Sequence, residues 1–341
     1  MQKRNHGCQW FFWRWMRGLF LLPVLLSPTV VVGHGASQWC SPPYLVEWPD
    51  THPVWSFCWT PPADSSGIYG SGIEISHAFY KGQRVFWNAH IPIQRVNYVG
   101  DACGPYRDWH NQEHLFECSG TPVGKACFGA AKTICDGLPD GSGNFTGVVI
   151  DKRVDEVVLI SAMAAGWYRY VQEWHFRKDG TIEPRFLMTG SAIPPSCTVD
   201  HTHHVYWRFD FDIDGAPNDA VQEAFLFPDL WRTLTIETSR VKDPSFLRMW
   251  RVLDRSTRSR WTIIPGPTDG VADTFSKADL WALRYHAGEL SDNADALDDK
   301  LNQYVTGEGI NREDVVTWYV GHGFHKAGDA ACHVVGPDLR R

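Results

Sequence analysis

Residues 200–215, DHTHHVYWRFDFDIDG, contain the pattern that decides the fold of this chain. Apolar and polar side chains alternate over residues 203–213, which is the period of a β-strand, and Asp214-Gly215 supply a turn. In a strand His201 and His203 point to the same face, about 7 Å apart along the backbone, where both can reach one metal ion. A surface histidine cluster without a metal is the alternative interpretation.

Other windows with the same alternation predict a mainly β protein. They lie at residues 72–79, 83–91, 156–163, 168–177 and 181–188. The turn Lys178-Asp179-Gly180 predicts a hairpin between the last two windows. Helices are predicted for residues 220–227, 276–284 and 292–306. The sum indicates an antiparallel β-sandwich with a few peripheral helices.

The composition indicates a folded, acidic protein. Hydrophobic residues make up 43% of the chain and charged residues 21%, a balance that excludes a disordered polypeptide. The formal net charge is −7, so a broad basic face for nucleic acid is not expected. Small cations, by contrast, are attracted to such a surface.

The N-terminus predicts a signal peptide over residues 1–33. Basic residues precede an apolar run at 19–32 that ends at Gly33, and an uncleaved membrane anchor is the alternative. We expect residues 34–341 to form a single domain. The chain has nine cysteines, and losing Cys8 leaves an even number, which favours disulfides in an oxidising compartment. Asn144-Phe145-Thr146 is a glycosylation sequon, so a secreted glycoprotein is expected.

A late segment, residues 313–325 with the sequence EDVVTWYVGHGFH, supplies a second pair of histidines. With residues 200–215 it resembles the catalytic domain of copper amine oxidases, the topaquinone-dependent primary amine oxidases. In that family His-x-His leads into an Arg and an Asp-Gly turn, and the third copper histidine falls seven residues after a Trp. Trp318 plus seven is His325. The resemblance implies copper on His201, His203 and His325, with His322 as an alternative ligand.

The resemblance also places the cofactor tyrosine. The family strand Thr-x-x-Asn-Tyr-(Asp/Glu)-Tyr corresponds to residues 164–170, AAGWYRY, which makes Tyr168 the candidate precursor of topaquinone. Three neighbours depart from the family pattern. Ala164 replaces the Thr, Trp167 replaces the Asn that orients the quinone, and Arg169 replaces the acidic residue.

Other candidate catalytic residues lie upstream. Tyr98 stands in residues 97–101, NYVGD, from which the position of the family's general base, an Asp, is counted. That position holds His114, beside Glu113. Either side chain could act as a base, and ordinary exposed residues are the alternative.

The resemblance further implies a peripheral calcium-type site. Asp210, Asp212 and Asp314 match positions whose oxygens bind a hard cation, and solvated acidic residues are the alternative. A homodimer is a further implication, although the segments that make dimer contacts in the family are missing here.

The family also has a disulfide near Cys127 and Cys135. Those two cysteines are therefore candidates for one bridge, with Cys118 as a rival partner. The pairing of the other cysteines stays open, because an even set of cysteines allows many connectivities.

The expected function is that of a secreted copper enzyme that converts a small primary amine, dioxygen and water into an aldehyde, ammonia and hydrogen peroxide. The alternative is a copper-binding homologue that lacks topaquinone and has a different oxidative activity or none. A third hypothesis rests on His34, which would be the first mature residue. An N-terminal histidine can chelate copper, and such a start resembles that of lytic polysaccharide monooxygenases.

Overall fold

Antiparallel strands account for most of the chain that the structure describes. The computed structural model describes residues 35–67, 72–101, 103–107, 127–128, 132–137, 148–190, 193–225, 230–243, 245–290 and 300–341. Its strands are β1 (Leu45–Trp48), β2 (Trp55–Thr60), β3 (Glu74–Tyr80), β4 (Gln83–Tyr98), β5 (Tyr106–Arg107), β6 (Cys127–Phe128), β7 (Val149–Lys152), β8 (Glu156–Ala165), β9 (Tyr168–Arg177), β10 (Ile182–Gly190), β11 (His201–Phe211), β12 (Asp219–Ala224), β13 (Trp231–Thr233), β14 (Thr238–Arg240), β15 (Met249–Asp254), β16 (Arg260–Ile264), β17 (Leu280–Arg284), β18 (Asn311–Glu313), β19 (Val315–His325), β20 (His333–Val335) and β21 (Asp338–Arg340). In these ranges the helical elements are short 3₁₀ segments at Ala36–Gln38, Pro62–Asp64, Val99–Asp101, Ile134–Asp136, Pro195–Cys197 and Lys300–Tyr304.

The strands form two sheets. A nine-stranded sheet has the order β1-β2-β3-β4-β11-β19-β17-β14, with β5 paired to β4. A twelve-stranded sheet has the order β13-β12-β15-β16-β21-β10-β9-β8-β7-β6, with β18 paired to β12 and β20 paired to β10. The short β6–β7 pair is parallel, and the other described pairs are antiparallel. The predicted mainly β, antiparallel fold class is confirmed.

The main core contains buried side chains from both sheets. Its tryptophans come from β1, β2 and β11 of one sheet and from β9, β15 and β16 of the other: Trp48, Trp55, Trp59, Trp207, Trp174, Trp250 and Trp261. A second apolar cluster includes Tyr206 of β11, Trp281 of β17 and Trp318 of β19, all in the nine-stranded sheet. Tyr206 is the neighbour of Trp207 in the main core, and successive side chains of a strand point to opposite faces. Strand β11 is therefore buried on both faces, which fixes its register firmly because a slip by one residue would exchange its two faces.

Most predicted strands are found close to their expected bounds, and β9 covers residues 168–177 as predicted, whereas the strand predicted at 83–91 continues to Tyr98 in β4. Two predicted helices are wrong. Residues 219–224 form β12 and residues 280–284 form β17, because both runs are nearly continuously buried between neighbouring strands. A short buried strand cannot be told from a helix segment by its periodicity. The third predicted helix, at 292–306, is a 3₁₀ segment over Lys300–Tyr304, and residues 292–299 lie outside the described ranges.

Three disulfides join described residues: Cys40–Cys58, Cys103–Cys197 and Cys135–Cys332. The expected Cys127–Cys135 bridge is wrong, because the fold brings Cys332 to Cys135 across a sequence separation of 197 residues. Disulfides of this kind are typical of extracellular proteins. In the part of the chain that the structure describes, no helix has the length and apolarity needed to span a membrane.

Several expectations concern residues outside the described ranges. These are the signal peptide at residues 1–33, His34, the base candidates Glu113 and His114, Cys118 and the sequon at Asn144. They remain predictions.

Gly336 allows the chain to run close to β10 between β20 and β21. Its φ is +142°, and a Cβ atom at this position would lie 2.1 Å from the Pro184 carbonyl oxygen. Its N–H donates to Asp269 Oδ1 at 2.8 Å, and its carbonyl accepts from Arg185 Nη1 at 3.1 Å. The absence of a side chain therefore lets two backbone segments meet.

Gly336→Ala is expected to lower the free energy of unfolding by about 3 kcal/mol or more, because the methyl group clashes with backbone rather than with a flexible side chain. The matched control is Gly307→Ala, where φ is +90° and, among the described residues beyond its two chain neighbours, no atom lies within 4 Å of the new Cβ. That control should lose only about 1 kcal/mol. Urea titration of both variants measures the difference, and equal losses would contradict the close approach.

Candidate metal centre

Two neighbouring strands bring three histidines together. In the antiparallel β11–β19 pair His201 lies opposite His325 and His203 lies opposite Gly323. Residues directly opposite each other share a face, and so do residues two apart on one strand. The His-x-His motif of β11 and the last residue of β19 therefore place three imidazoles on one side of the sheet.

The three imidazoles form a compact, buried group. One ring nitrogen from each of His201, His203 and His325 lies within 4.8 Å of the others. His201 Nε2 and His325 Nδ1 are 3.0 Å apart. Each histidine is at most 2% exposed, so the group is removed from solvent. This is the arrangement that the sequence predicted for the copper histidines.

Neighbouring groups hold each ring in one orientation. His201 Nδ1 donates to the Val199 carbonyl at 2.6 Å, and His325 Nε2 donates to the Asp329 carbonyl at 2.7 Å. These bonds leave His201 Nε2 and His325 Nδ1 with lone pairs that face the centre of the group. Hydrogen bonds of this kind are typical of metal-ligating histidines.

The third ring, His203, is held by Gln94 of β4. The Gln94 amide nitrogen lies 3.0 Å from His203 Nδ1, while Gln94 Oε1 and His203 Nε2 are buried with no hydrogen-bond partner in the described ranges. Exchanging the two ends of the amide lets Oε1 accept a proton from Nδ1, which fixes the tautomer of the His203 ring. His203 Nε2 then remains as a buried lone pair that suits a cation.

Burial keeps the imidazoles neutral. Together with the nearby His325, and against the opposing hydrogen bond to Val199, burial lowers the pKa of His201 to about 4. Burial, followed by the nearby His201 and His325, holds the pKa of His203 well below 6.5. The pKa of His325 is lowered by burial as well. Neutral imidazole is the form that binds a metal.

Tyr168 points into this group from the other sheet. It is the first residue of β9, directly after the turn that joins β8 to β9, and it is 1% exposed. Its hydroxyl contacts His201 Nε2 and lies 2.5 Å from His325 Nδ1. Its ring packs edge-on against His203, with centroids 4.5 Å apart. The structure therefore brings the predicted cofactor tyrosine to the three predicted copper histidines.

Trp167 and Arg169, which flank Tyr168 and depart from the family pattern, point their side chains in different directions. The Trp167 indole N–H lies 3.3 Å from the hydroxyl of Tyr98, whose ring stacks on His201 at 4.5 Å. Arg169 instead donates to the Gly166 and Tyr168 carbonyls at 3.1 and 2.9 Å. Strand alternation therefore keeps the guanidinium of Arg169 off the histidine side, while the indole of Trp167 closes the site beside Tyr98.

His322, the alternative ligand, does not join the group. Its Nδ1 lies 2.8 Å from Nδ1 of His204, and its Nε2 lies 3.1 Å from Asp279 Oδ1. The residue is three positions before His325 on β19, so strand alternation sends it to the opposite face. It belongs to a separate buried pair.

The candidate calcium residues are near one another but form no compact ligand group in the described ranges. Asp212 pairs with Arg84 at 2.5 Å, and Asp210 lies 3.3 Å from Arg208. Burial raises the pKa of Asp210 to about 7 and that of Asp314 to about 6; neighbouring carboxylates add to this effect, and the charge of Arg208 opposes it. This concentration of carboxylates favours a cation, and calcium stays a prediction.

Asp219, which the sequence gave no reason to select, belongs to the same acidic region. Burial raises its pKa to about 9, and the charges of Asp254, Asp212 and Asp314 add to that effect. Its Oδ2 accepts from the Ile213 N–H at 3.4 Å. Asp219 lies at the start of β12, across the turn that follows β11, so only the fold places it beside the predicted residues.

A second histidine-carboxylate group contains Glu237, His286 and Glu308. Glu237 already accepts from the N–H groups of Thr306, Gly307 and Arg284 at 2.7, 3.1 and 3.1 Å. His286 Nε2 lies 2.6 Å from Glu308 Oε2. These bonds tie a loop to β17, and they use the atoms that a metal would need.

Comparison with solved structures identifies the class of fold. The chain is similar to a copper-containing benzylamine oxidase from Hansenula polymorpha, at 15% identity over 87% of this chain and 59% of that structure, with a TM-score of 0.63. It is similar to Pichia pastoris lysyl oxidase at 14% identity over 84% and 50%, with a TM-score of 0.61. It is also similar to an Aspergillus nidulans amine oxidase at 15% identity over 84% and 50%, with a TM-score of 0.57. No protein-family model and no curated protein sequence matches the chain.

The chain therefore has a copper amine oxidase-like fold, and it spans 50–59% of the length of these structures. At such low identity the likeness concerns the fold alone. The histidine group fits copper on its own chemistry, because three neutral imidazoles with oriented lone pairs suit that metal. Gln94 and the Asp329 carbonyl, which orient those lone pairs, had no signal in the sequence.

Gln94→Leu should weaken Cu(II) binding about 10- to 100-fold, because His203 loses the partner that fixes its ring. The matched control is Thr202→Val, a half-buried neighbour on β11 that faces away from the group. Competition titration against a chelator measures both dissociation constants. An unchanged constant for Gln94→Leu would show that the amide does not orient His203.

Proposed function

We propose that this chain is a secreted copper-dependent oxidoreductase that oxidises primary amines to aldehydes, with release of ammonia and hydrogen peroxide. One observation carries the proposal: the Tyr168 hydroxyl lies between His201 Nε2 and His325 Nδ1, inside the histidine group. In that position the tyrosine ring would lie beside a copper ion held by the three histidines, which is the metal that its oxidation would require. The fold is consistent with this chemistry.

The residues of the chain would have distinct tasks. His201, His203 and His325 would hold copper, and Gln94 and the Asp329 carbonyl would keep their rings oriented. When bound, copper would support oxidation of Tyr168 to topaquinone, which supplies the amine-oxidising chemistry. The burial of Tyr168 and the histidines excludes bulk water from the reacting ring.

Substrate approach and proton transfer would use other groups. The net charge of −7 would attract a cationic amine, an effect that added salt should weaken. Tyr98, which stacks on His201, would line the site beside Trp167. We propose Glu113 or His114 as the base, following the positions that the sequence suggested.

The proposal also covers the processing, secretion and assembly of the protein. We infer a signal peptide at residues 1–33, glycosylation at Asn144 and secretion, which the three disulfides support. We also infer that residues 34–341 act as one catalytic domain. Calcium at the acidic residues around Asp210 and a homodimer are parts of the same proposal.

A second candidate function has its own support. Trp167 places an indole where the family has the Asn that orients the quinone, and this indole is fixed against Tyr98. A bulky group there would restrict the movement of an oxidised ring. The alternative is a copper-binding homologue without topaquinone, with a different oxidative activity or none.

Mass analysis of the peptide that contains Tyr168 distinguishes the two functions. After aerobic incubation of the mature protein with copper, the proposal predicts a gain of two oxygens and a loss of two hydrogens on Tyr168. Tyr44→Phe is the matched control, because Tyr44 is exposed and packs on Trp59 rather than on the histidine group, so it should not be needed for the change. His203→Ala should prevent it.

Each result has one meaning. An unmodified Tyr168 in copper-loaded protein would exclude the quinone mechanism and favour the second candidate. A protein that binds no copper would overturn both functions. Modification in the His203→Ala variant at the wild-type rate would contradict the role of the histidine group.

A further inference from the structure

The segment that follows His325 carries the chain from one sheet to the other. Strand β19 ends at His325, and β20 begins at His333 and pairs with β10 of the twelve-stranded sheet. Most of residues 326–332 are exposed, so burial of apolar surface stabilises this crossing little. Specific bonds must hold it in place.

Those bonds lie on both sides of the Asp329 carbonyl, which orients a metal ligand. Asp329 accepts the His325 Nε2 proton at 2.7 Å. On one side, the Ala327 N–H donates to Asp200 Oδ1 at 2.8 Å. On the other side, Thr189 Oγ1 donates to the Ala330 carbonyl at 3.2 Å, and Cys332 is bonded to Cys135. The disulfide is the covalent member of this set.

The other end of the disulfide is anchored. Cys135 lies in the 3₁₀ segment Ile134–Asp136, which Thr133 and Asp136 cap reciprocally. Ile134 and Cys135 pack against an apolar cluster of β7, β8 and β9: Val149, Val158, Ile160 and Val171. The crossing is therefore attached to the body of the twelve-stranded sheet.

We propose that Cys332, through its disulfide with Cys135, is a positioning residue for the metal centre. The bond limits the movement of residues 326–332 and so keeps the Asp329 carbonyl on His325 Nε2. Because this contact keeps the ring proton on Nε2, the lone pair of His325 Nδ1 is left for the metal. The inference rests on the copper-binding part of the proposed function and is independent of topaquinone.

Loss of the disulfide should leave the fold in place and weaken the metal site. The β20–β10 pairing still holds the end of the crossing at residues 333–335. Freed upstream of that point, the Asp329 carbonyl would spend less time on His325. Loss of a partner of this kind typically reduces metal affinity 10- to 100-fold.

The test compares two double variants of the mature protein with wild type. In Cys135→Ser/Cys332→Ser the dissociation constant for Cu(II) should rise about 10- to 100-fold in competition titrations. The electron paramagnetic resonance spectrum of bound copper should also change. The matched control is Cys40→Ser/Cys58→Ser, which removes a disulfide that links β2 to the segment before β1. Its copper affinity and spectrum should match those of wild type.

The outcomes separate this inference from the proposal on which it rests. A lower melting temperature with unchanged copper affinity and spectrum would show a purely structural disulfide and would overturn the inference alone. Absence of copper binding in wild type would overturn the proposed function, and this inference with it. If the double variant does not fold, native wild type is reduced with a phosphine and alkylated, and the modified cysteines are mapped by mass. The copper affinity of protein alkylated at Cys135 and Cys332 is then compared with that of unreduced protein. An unchanged affinity would overturn the inference.

Discussion

The antiparallel register between β11 and β19 is the constraint on which the site depends. It sets His201 opposite His325, and strand periodicity adds His203 on the same face. A slip of one residue between these strands would send His325 to the other side of the sheet. The register is firmly set because β11 is buried on both faces, between β4 and β19, with core side chains in front and behind.

Burial removes the ring nitrogens of the three histidines from water, and the described part of the protein supplies hydrogen-bond partners for only some of them. A buried polar atom without a partner costs about 1–3 kcal/mol. The Tyr168 hydroxyl contacts both His201 and His325 but has one proton, so it can donate to only one of them, while carbonyl groups accept from the outward nitrogens of those two rings. His203 Nε2 has no such partner in the described ranges. A cation at the centre would satisfy the three inward nitrogens together, which explains why neutral histidines gather in the interior of a sandwich.

Sequence reasoning predicted the strands and the histidine group because both depend on local periodicity. His-x-His in an alternating run defines a face, and the spacing from Trp318 selected His325. The buried runs at 219–224 and 280–284 were misjudged as helices, because a strand enclosed by neighbours shows no alternation. Gln94, Asp219 and the Cys135–Cys332 bond had no local signal, since only the completed sheets place them beside their partners.

The position of copper tests the central claim most directly. Crystals of the copper-loaded mature protein would be measured at the copper absorption edge, and the anomalous density would locate the ion. We expect one ion bound by His201 Nε2, His203 Nε2 and His325 Nδ1, beside the Tyr168 ring. Copper at Glu237, His286 and Glu308, or no ion at the three histidines, would contradict it.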